Sequence, residues 1–541
     1  MKYILPLLLL SLSTVAQPIT EKQRNRIDSV FARYDKTNSP GCSVGIIRDG
    51  QLVFQRGYGM ADLEWGQAIS PVTVFDIGST SKQFTAAAVL LLQQQGKLRI
   101  DDDVRKYIPE LPSYGVTITI RHLLNHTSGL KDYAGLLSLA GHQSEEVTTN
   151  QQALDIICKQ KTLNFNPGDK WDYSNTGFFL ASVIAERVSG MSLKAFAQQQ
   201  IFGPLGMNNT FFLDNHTTIV PRRATGYSPS ATGFQIDMSN WEQVGDGAVQ
   251  TCVQDLLRWD RNFYEPSVGG PDLVKQLTTT GTLANGEKLD YALGLFNTTY
   301  LGRTMIHHGG AWAGYRAEMV RIPAEKLSVI CLSNLGSANP SVLARAVVQI
   351  VLNEKPTTGT PAPAPASIKT DVSPFAGAYR SENNDAVRKL ITENDKLFMQ
   401  RGARRIELSY SSDNTFVVPG AATFKFTRSG NQVTAFDIIQ DGFPSQHFIR
   451  FEPVTIAQPL MQTYEGSYPC EELGVTGIVS LTNGKLRLKF GAEDQELEPV
   501  ITDIFYSPQG MSIEFIRDKS KRITGFYFSA SRTKKIHFKK S

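Results

Sequence analysis

The sequence predicts an α/β domain of the α+β kind, in which helices flank an antiparallel sheet, followed by two small all-β, barrel-like repeats. Three observations predict this layout: mixed strand and helix patterns in the first 355 residues, a Pro/Ala-rich stretch after them, and an internal repeat beyond that stretch. A chain of 541 residues is also too long for one ordinary core, so several domains are expected.

The first part of the chain, 19–355, carries the mixed patterns. SVGIIRDGQLVFQRGYG alternates apolar and polar residues around Asp49-Gly50, which is typical of a β-hairpin. Residues 79–96 follow as an apolar helix, and DLLRWDRNF and SVLARAVVQIVL have further helical patterns. SVICLSNLG has the composition of a buried strand. These patterns together indicate one domain.

The segment 356–370 is a predicted linker, because alternating Pro and Ala favour an extended, semi-rigid chain. Beyond it, PFAGAYR (374–380) is echoed by TYEGSYP (463–469), and NDKLFMQ (394–400) by NGKLRLK (483–489), both at an offset of 89. FTRSGNQVTAF and FIRDKSKRITGF match next, with one inserted residue. The constant offset predicts two tandem β repeats, 371–455 and 459–541.

The N-terminal residues 1–16 have the pattern of a secretory signal peptide. Lys2 gives a positive start, Tyr3 to Leu12 is apolar, and Thr14-Val15-Ala16 offers small residues for cleavage after Ala16. The apolar run is too short for a spanning helix, although a retained anchor is the alternative. We therefore expect a secreted, periplasmic protein without a transmembrane segment.

Composition excludes several classes of function. The formal net charge is +4 without a long basic run, so a nucleic-acid partner is not expected. The cysteines are scattered without a CxxC pair, which argues against a zinc or redox motif. They are either small buried hydrophobes or include one disulfide whose pairing the spacing does not give. We expect no metal and no other cofactor.

The helix that begins near Ser79 opens with polar groups against an apolar face. Ser79 and Lys82 lie at i and i+3, so a helix places the amine within reach of the hydroxyl. Serine needs a base and a site for the oxyanion, and a helix N-terminus supplies free N–H groups. The spacing alone is a weak signal. It recurs at Ser531 and Lys534, where we expect a solvated strand or turn.

Two further motifs sharpen this prediction. In GDKWDYSNTGFF, Tyr173 and Asn175 can aim a phenol and an amide at one point, although Asn175 is also a good N-cap for the next helix. In MIHHGGAWAGYRAEM, His308 precedes two glycines that permit close approach to a strand edge. A bulge or turn is the alternative interpretation there. We expect the neighbouring His307 to be structural.

The order of the three motifs resembles that of the serine β-lactamase and penicillin-binding protein superfamily, and its class C, peptidase S12-type branch in particular. The strings FDIGSTSKQFTA, ITIRHLLNHTSGL, NPGDKWDYSNTGF and GGAWAGYRAEMVRIP are similar to that family as well. The resemblance covers roughly 19–352 and implies a β-lactamase/transpeptidase-like fold. It also implies that His122 and His126 in the second string are structural.

The resemblance implies catalytic roles for three residues. Ser79 would be the acylated nucleophile, and Lys82 would activate it or relay its proton. Tyr173 would act as general base and acid in acylation and deacylation. Asn175 would bind the substrate amide.

The third motif would form the rest of the substrate-binding strand. Gly309, Gly310 and Ala311 would lie along it, with Gly310 keeping the edge open and the N–H groups of Ser79 and Ala311 forming the oxyanion hole. His308 stands where many relatives have the lysine of a KTG motif. An unperturbed histidine is mostly neutral at pH 7, so a substrate carboxylate loses a fixed cation there, which Arg316 could restore.

The sequence therefore favours a serine hydrolase that acts through an acyl-enzyme on an amide or ester, with a D-amino-acid peptide, a small ester or a β-lactam as substrate. The alternative is a non-catalytic or slowly deacylating protein that binds cell-wall peptides or penicillin. The partner is expected to be a small molecule or a peptide, with peptidoglycan fragments as one option. The terminal repeats would either send a loop to the cleft or serve as a stabilising or carbohydrate-contacting appendage.

Overall fold

The structure is a computed structural model that describes residues 17–143, 145–353, 371–381, 386–401, 404–418, 422–440, 443–491 and 493–541. The predicted signal peptide and the predicted linker lie outside these residues. No helix in the described ranges combines the length and apolar character that crossing a bilayer requires.

The first domain is built on a six-stranded antiparallel sheet with the order β10-β11-β12-β13-β1-β2. The smaller strands pair beside it. The strands of this domain are β1 (Cys42–Arg48), β2 (Gln51–Tyr58), β3 (Met60–Asp62), β4 (Gln67–Ala68), β5 (Phe75–Asp76), β6 (Phe211–Phe212), β7 (Tyr227–Ser230), β8 (Gly233–Ile236), β9 (Val249–Thr251), β10 (Phe296–Tyr300), β11 (Arg303–Trp312), β12 (Tyr315–Ile322) and β13 (Leu327–Ser333).

Helices cover both faces of this sheet. They are α1 (Glu21–Phe31), α2 (Lys82–Gln94), α3 (Ile120–Leu124), α4 (Tyr133–Leu139), α5 (Asn150–Cys158), α6 (Asn175–Ser189), α7 (Leu193–Ala197), α8 (Val253–Arg261), α9 (Gly270–Thr278) and α10 (Pro340–Val351), with a short helix α11 (Gln458–Gln462) before the second repeat. Helices α1 and α10 share one apolar cluster with the sheet, and α2, α6 and α8 share the other. The predicted α+β architecture is confirmed.

Local sequence explains the central elements. The β1–β2 hairpin turns at Asp49 and Gly50, whose φ angles are 49° and 71°, as the Asp-Gly pair predicts. Strand β13 is buried on both faces because helices lie above and below it, so its apolar residues run without alternation. Helix α2 is buried from Lys82 to Leu92, which places the predicted amine inside the domain.

The two C-terminal repeats are each eight-stranded and antiparallel. The first is a closed barrel. In the second, as in the first, each strand pairs with the next one along the chain. Their strands are β14 (Gly377–Arg380), β15 (Val387–Glu393), β16 (Lys396–Arg401), β17 (Arg404–Ser412), β18 (Thr415–Val418), β19 (Ala422–Ser429), β20 (Gln432–Gln440), β21 (Phe443–Phe451), β22 (Gly466–Cys470), β23 (Val475–Thr482), β24 (Lys485–Phe490), β25 (Glu493–Ile501), β26 (Ile504–Tyr506), β27 (Met511–Arg517), β28 (Ile523–Ala530) and β29 (Thr533–Lys539).

The repeated sequence motif has a structural cause. The hydroxyl of Tyr379 donates to the carbonyl of Phe375 at 2.9 Å, and Tyr468 donates to the carbonyl of Tyr464 at 2.6 Å, 89 residues later. Both tyrosines are fully buried, as expected of core residues. The intervening glycine has a φ of about 150° in each copy, which favours glycine. The predicted barrel-like repeats are confirmed.

The two repeats differ in their relation to the first domain. The first repeat has a hydrophobic core of its own, whereas the core of the second repeat is continuous with that of the first domain. A buried ion pair joins them as well, with Lys131 Nζ 3.3 Å from Glu472 Oε2. The second repeat is therefore packed firmly against the first domain.

The cysteines resolve the choice that the sequence left open. Each of the five lies in the described residues as a free thiol, and Cys158 alone among them is partly exposed. Burial raises the pKa of the Cys252 and Cys470 thiols to about 11. They act as small apolar residues.

Candidate active site

Ser79 lies on a short 3₁₀ turn, Gly78–Ser81, between β5 and α2. The φ of Gly78 is +48°, and a Cβ there would lie 2.7 Å from the backbone nitrogen of Ala311. The Asp76 carboxylate accepts hydrogen bonds from the Gly78 N–H at 2.7 Å and from Gln250 at 2.8 Å. Burial raises the pKa of Asp76 to about 6. A glycine and a buried acid thus shape the turn that carries the hydroxyl.

Lys82 connects the first two motifs. Its Nζ donates to Ser79 Oγ at 3.2 Å, to Asn175 Oδ1 at 3.0 Å and to the backbone carbonyl of Asp246 at 2.5 Å. An ammonium group has three donors, and each one is used here. In this arrangement the Lys82 amine is within hydrogen-bond distance of the serine oxygen, so its charged form can stabilise negative charge on that oxygen.

Asn175 is the first residue of α6. Its backbone N–H donates to Asp132 Oδ2 at 2.8 Å, and Asp132 in turn caps α4. The N-cap alternative is therefore not observed, since Ser174 occupies the cap position without a side-chain bond. The side chain of Asn175 is instead turned toward Lys82.

Tyr173 lies next to this group with 8% of its surface exposed. Lys82 Nζ is 5.0 Å from the centroid of its ring, within cation–π range. Across the described residues its hydroxyl has no hydrogen-bond partner, so Tyr173 makes no direct bond to Ser79 in this structure. Catalytic hydrogen bonds often form only when substrate is bound. The role of Tyr173 stays a prediction.

His126 supports the Tyr173 ring. The two ring centroids are 4.2 Å apart, and His126 Nδ1 accepts a hydrogen bond from the Ser174 N–H at 3.2 Å. Burial, and then the charge of Lys82, hold the pKa of His126 well below its usual value, so the ring is neutral. His122 forms a capping box with Thr119 at the start of α3. Both contacts are structural.

Strand β11 supplies the third motif. Strand β10 pairs only with residues 303–307, so the outer edge of β11 beyond His307 faces the turn of Ser79 instead. A Cβ on Gly310 would lie 1.9 Å from the carbonyl oxygen of Ile77, while one on Gly309 would lie 3.0 Å from Glu318 Oε2. Ala311 is exposed and lines the same cleft as Ser79. The two predicted oxyanion-hole residues therefore face one cleft.

His308 is 2% exposed and both of its ring nitrogens are occupied. Nε2 lies 3.0 Å from the Tyr291 hydroxyl and Nδ1 lies 2.6 Å from the carbonyl oxygen of Gly309. Burial and the nearby charge of Lys82 lower the pKa of His308 to about 3. It therefore offers a substrate no positive charge at neutral pH. His307 instead bonds Glu318 at 3.1 Å, away from the cleft.

Replacing His308 with glutamine is expected to change how stability depends on pH. The folded-state pKa of His308 is depressed to about 3, whereas the unfolded value is about 6.5. The contribution of the neutral ring to the free energy of unfolding is therefore complete above about pH 6.5. It is lost as the pH falls below that value, because the unfolded state then binds a proton that the folded state does not. Between about pH 7.5 and about pH 5 the wild type should lose about 2 kcal/mol of unfolding free energy relative to His308→Gln. Chemical unfolding of both proteins at the two pH values measures this. Parallel pH profiles would contradict a buried neutral His308.

The cleft itself contains groups that the motifs did not indicate. Asp246 lies on its wall and accepts hydrogen bonds from the Tyr133 hydroxyl at 3.2 and 3.1 Å. Burial raises the pKa of Asp246 to about 6. Trp241 and Trp312, with ring centroids 5.6 Å apart, add an apolar wall. The glycines on both sides of Asp246 were the only feature of the sequence that could have indicated its place in the cleft.

The second repeat also reaches this region, through the segment where the chance Ser-x-x-Lys spacing falls. Ser531 is in a turn, as expected, with a φ of 49°. The expectation that the segment is solvated is wrong for Arg532 and Lys534. The guanidinium of Arg532 lies 4.7 Å from the centroid of the Tyr173 ring, and Lys534 Nζ is 3.3 Å from Asp172 Oδ2. Arg316 is held by its own turn, where it donates to two backbone carbonyls.

Comparison with known proteins agrees with this architecture. The Beta-lactamase family model matches residues 27–353. Penicillin-binding protein 4* of Bacillus subtilis is 30% identical over 451 residues, which cover 78% of this chain and 98% of that protein. A D-aminopeptidase of Gluconobacter oxydans is 33% identical over 303 residues, which cover 55% of this chain and 56% of that enzyme.

Solved structures show the same fold at low identity. The octameric penicillin-binding protein homologue from Pyrococcus abyssi superposes with a TM-score of 0.59 at 24% identity, covering 79% of this chain and 99% of that chain. D-amino acid amidase from Ochrobactrum anthropi SV3 gives 0.52 at 20% identity, over 62% and 99%. The family match, the long alignment and the motif geometry agree. This chain belongs to the Beta-lactamase family, in the serine β-lactamase and penicillin-binding protein superfamily.

Proposed function

We propose that this protein is a serine hydrolase that cleaves an amide bond in D-amino-acid-containing peptides through an acyl-enzyme on Ser79. One observation carries the proposal. The Lys82 ammonium is shared between Ser79 Oγ and Asn175 Oδ1 at the edge of strand β11. A nucleophile, a fixed positive charge and an amide-binding group therefore meet at one point.

In the proposed reaction, Ser79 Oγ attacks the substrate carbonyl carbon and forms a tetrahedral intermediate. The N–H groups of Ser79 and Ala311 receive the oxyanion, and Lys82 stabilises the serine oxygen as it loses its proton. Tyr173 takes that proton and delivers it to the leaving nitrogen, which breaks the amide bond. Water then attacks the acyl-enzyme carbonyl carbon while Tyr173 takes the water proton and passes it to Ser79 Oγ. The bond between that oxygen and the acyl carbon breaks, which releases the carboxylic acid and free Ser79.

The names of relatives support an amide substrate with a D-centre. Several similar proteins are D-aminopeptidases, and a similar structure is a D-amino acid amidase. The chain spans about half the length of those D-aminopeptidases, so their substrate is a guide only for the first domain. The relative aligned over 98% of its length is a penicillin-binding protein, which supports a second candidate function, in which a β-lactam acylates Ser79 and the resulting acyl-enzyme is hydrolysed slowly.

Intact-mass analysis after a fluorophosphonate or penicillin tests the nucleophile. We expect one adduct on the wild type and none on Ser79→Ala, because the reagent bonds to the serine oxygen. Ser29→Ala, on the exposed face of α1, is the matched control and should label like the wild type. An adduct that survives on Ser79→Ala, or no adduct on the wild type, would count against the proposal.

A substrate panel then separates the candidate activities. Relative kcat/KM is measured for a D-Ala-D-Ala peptide, a D-amino-acid anilide, nitrocefin and p-nitrophenyl acetate. The proposal predicts that the two D-amino-acid amides are hydrolysed best. A penicillin adduct that persists for hours, together with no turnover of either amide, would favour the penicillin-binding alternative.

A further inference from the structure

Arg223 is a basic residue in the wall of the cleft that contains Ser79. Its backbone forms a parallel β-bridge with Val74, and the Ala224 N–H donates to the Val74 carbonyl at 2.9 Å. Val74 comes directly before strand β5, which leads into the turn of Ser79. The backbone that carries the guanidinium is therefore tied to the segment that carries the nucleophile.

The guanidinium of Arg223 has no protein partner. Within the described ranges it makes no hydrogen bond and no ion pair, although the residue is half-buried. A guanidinium has five N–H donors, and a group that is partly removed from water normally finds acceptors for them in the protein. The donors of Arg223 are therefore available to a ligand in the cleft.

Two buried groups show where the charge of Arg223 lies. Burial raises the pKa of Asp76 to about 6, and the positive charge of Arg223 offsets part of that rise. The same charge opposes the rise that burial causes in the pKa of Tyr315. Tyr315 is paired with Trp312 between strands β11 and β12. The guanidinium thus lies near the end of β11 that follows Ala311.

The charged groups of the cleft differ in what they can offer a ligand. Among the described residues that line it, Arg223 is the only basic one. The two acids of the lining, Asp76 and Asp246, already accept hydrogen bonds from protein groups. A ligand that enters the cleft therefore meets free donors at Arg223 and acceptors that are already in use.

In the proposed reaction this cleft receives the acyl part of the substrate. Its lining includes Ser79, Ala311 and Trp312 but not Tyr173. Tyr173 delivers a proton to the leaving nitrogen in that reaction, so the leaving group has to lie against its ring, outside the lining of the cleft. The part of the substrate that stays bonded to Ser79 is then the part that can reach the guanidinium.

We propose that Arg223 binds a carboxylate on the acyl part of the substrate, so that the preferred amides carry an acidic group on the side of the scissile bond that stays on Ser79. A guanidinium can bind a carboxylate through two parallel hydrogen bonds, which fix orientation as well as charge. Such a substrate supplies the partner that Arg223 lacks in the protein. This proposal rests on the proposed hydrolase function and adds a substrate class to it.

The test uses four p-nitroanilides of D-alanine, whose uncharged leaving group confines the comparison to the acyl side. N-succinyl and N-glutaryl substrates end in a carboxylate at two different reaches, and the N-succinamoyl and N-glutaramoyl substrates are their carboxamide counterparts. For at least one pair, wild type should cleave the acid with a kcat/KM about 10- to 100-fold above that of the carboxamide. Arg223→Gln should bring this ratio to within about 3-fold of unity, and Arg223→Lys should keep part of it, because lysine has the charge but not the paired geometry.

Arg222→Gln is the matched control. Arg222 is exposed, its guanidinium donates to the side chain of Asn209, and both residues lie outside the lining of the cleft. This variant should keep the wild-type ratio. Because each ratio is taken within one protein, it does not depend on how much of a variant is folded.

Three outcomes would overturn the inference and leave the hydrolase function standing. In the first, wild type cleaves the acids no better than their carboxamides. In the second, Arg223→Gln keeps the preference for the acid. In the third, Arg223→Gln loses activity equally on acids and carboxamides, which would mean a structural role beside Asp76. If wild type cleaves none of the four anilides, the proposed function itself fails.

Discussion

Replacing Lys82 with methionine is expected to lower kcat/KM by about 10³-fold or more for every substrate that the wild type cleaves. The side chain is fully buried, and its Nζ is the donor that reaches both Ser79 and Asn175. Methionine has a similar length but no charge, so the serine oxygen loses its stabilising donor while the packing of α2 changes little. Steady-state kinetics with the amide substrates gives the loss directly.

Lys97→Met is the matched control, because Lys97 is exposed just after the same helix. It should keep wild-type kinetics. Thermal unfolding of both variants separates a damaged fold from a damaged site. A Lys82→Met protein that retains activity within about 10-fold of the wild type would contradict the proposed role of Lys82 in stabilising the serine oxygen.

Local pattern was enough for much of the fold. The Asp-Gly hairpin, the apolar α2 and the repeat at an offset of 89 each have a local cause, either a turn that needs positive φ or a buried side chain that recurs. The hydrogen bonds of Tyr379 and Tyr468 give the motif the same structural role in both copies. The firm packing of the second repeat was not predictable, since its ion pair joins Lys131 to Glu472 across 341 residues.

The site shows the same division. Ser79 and Lys82 could be paired from helical spacing, because residues at i and i+3 share a face. Asp246 and Arg532 could not be assigned to the site from the sequence, because each reaches it through tertiary contacts that leave no periodic pattern. The charge and the hydrogen bonds of His308 could not be predicted from the sequence either. The sequence showed that a lysine was replaced, but burial and the Tyr291 hydroxyl decide that the ring is neutral and internally bonded.

Replacing Gly310 with alanine is expected to lower kcat/KM by about 10²- to 10³-fold. The new Cβ would lie 1.9 Å from the Ile77 carbonyl oxygen and 3.0 Å from Thr80 Oγ1, so backbone has to move. Ile77 leads into the turn of Ser79, and Gly310 precedes Ala311. The displacement therefore separates the two N–H groups that the oxyanion requires. Kinetics on an amide substrate measures the loss.

Gly309→Ala provides a graded comparison on the same strand. Its Cβ would lie 3.0 Å from Glu318 Oε2 and 3.6 Å from Ser341 Oγ, the ends of side chains that can shift, and it faces away from the Ser79 turn. We expect an activity loss of less than about 10-fold there, with a stability cost of about 1 to 3 kcal/mol that is smaller than the cost of Gly310→Ala, because no backbone clash has to be relieved. Equal activity losses in the two variants would mean that general destabilisation, and not the spacing between strand β11 and the nucleophile turn, governs the rate.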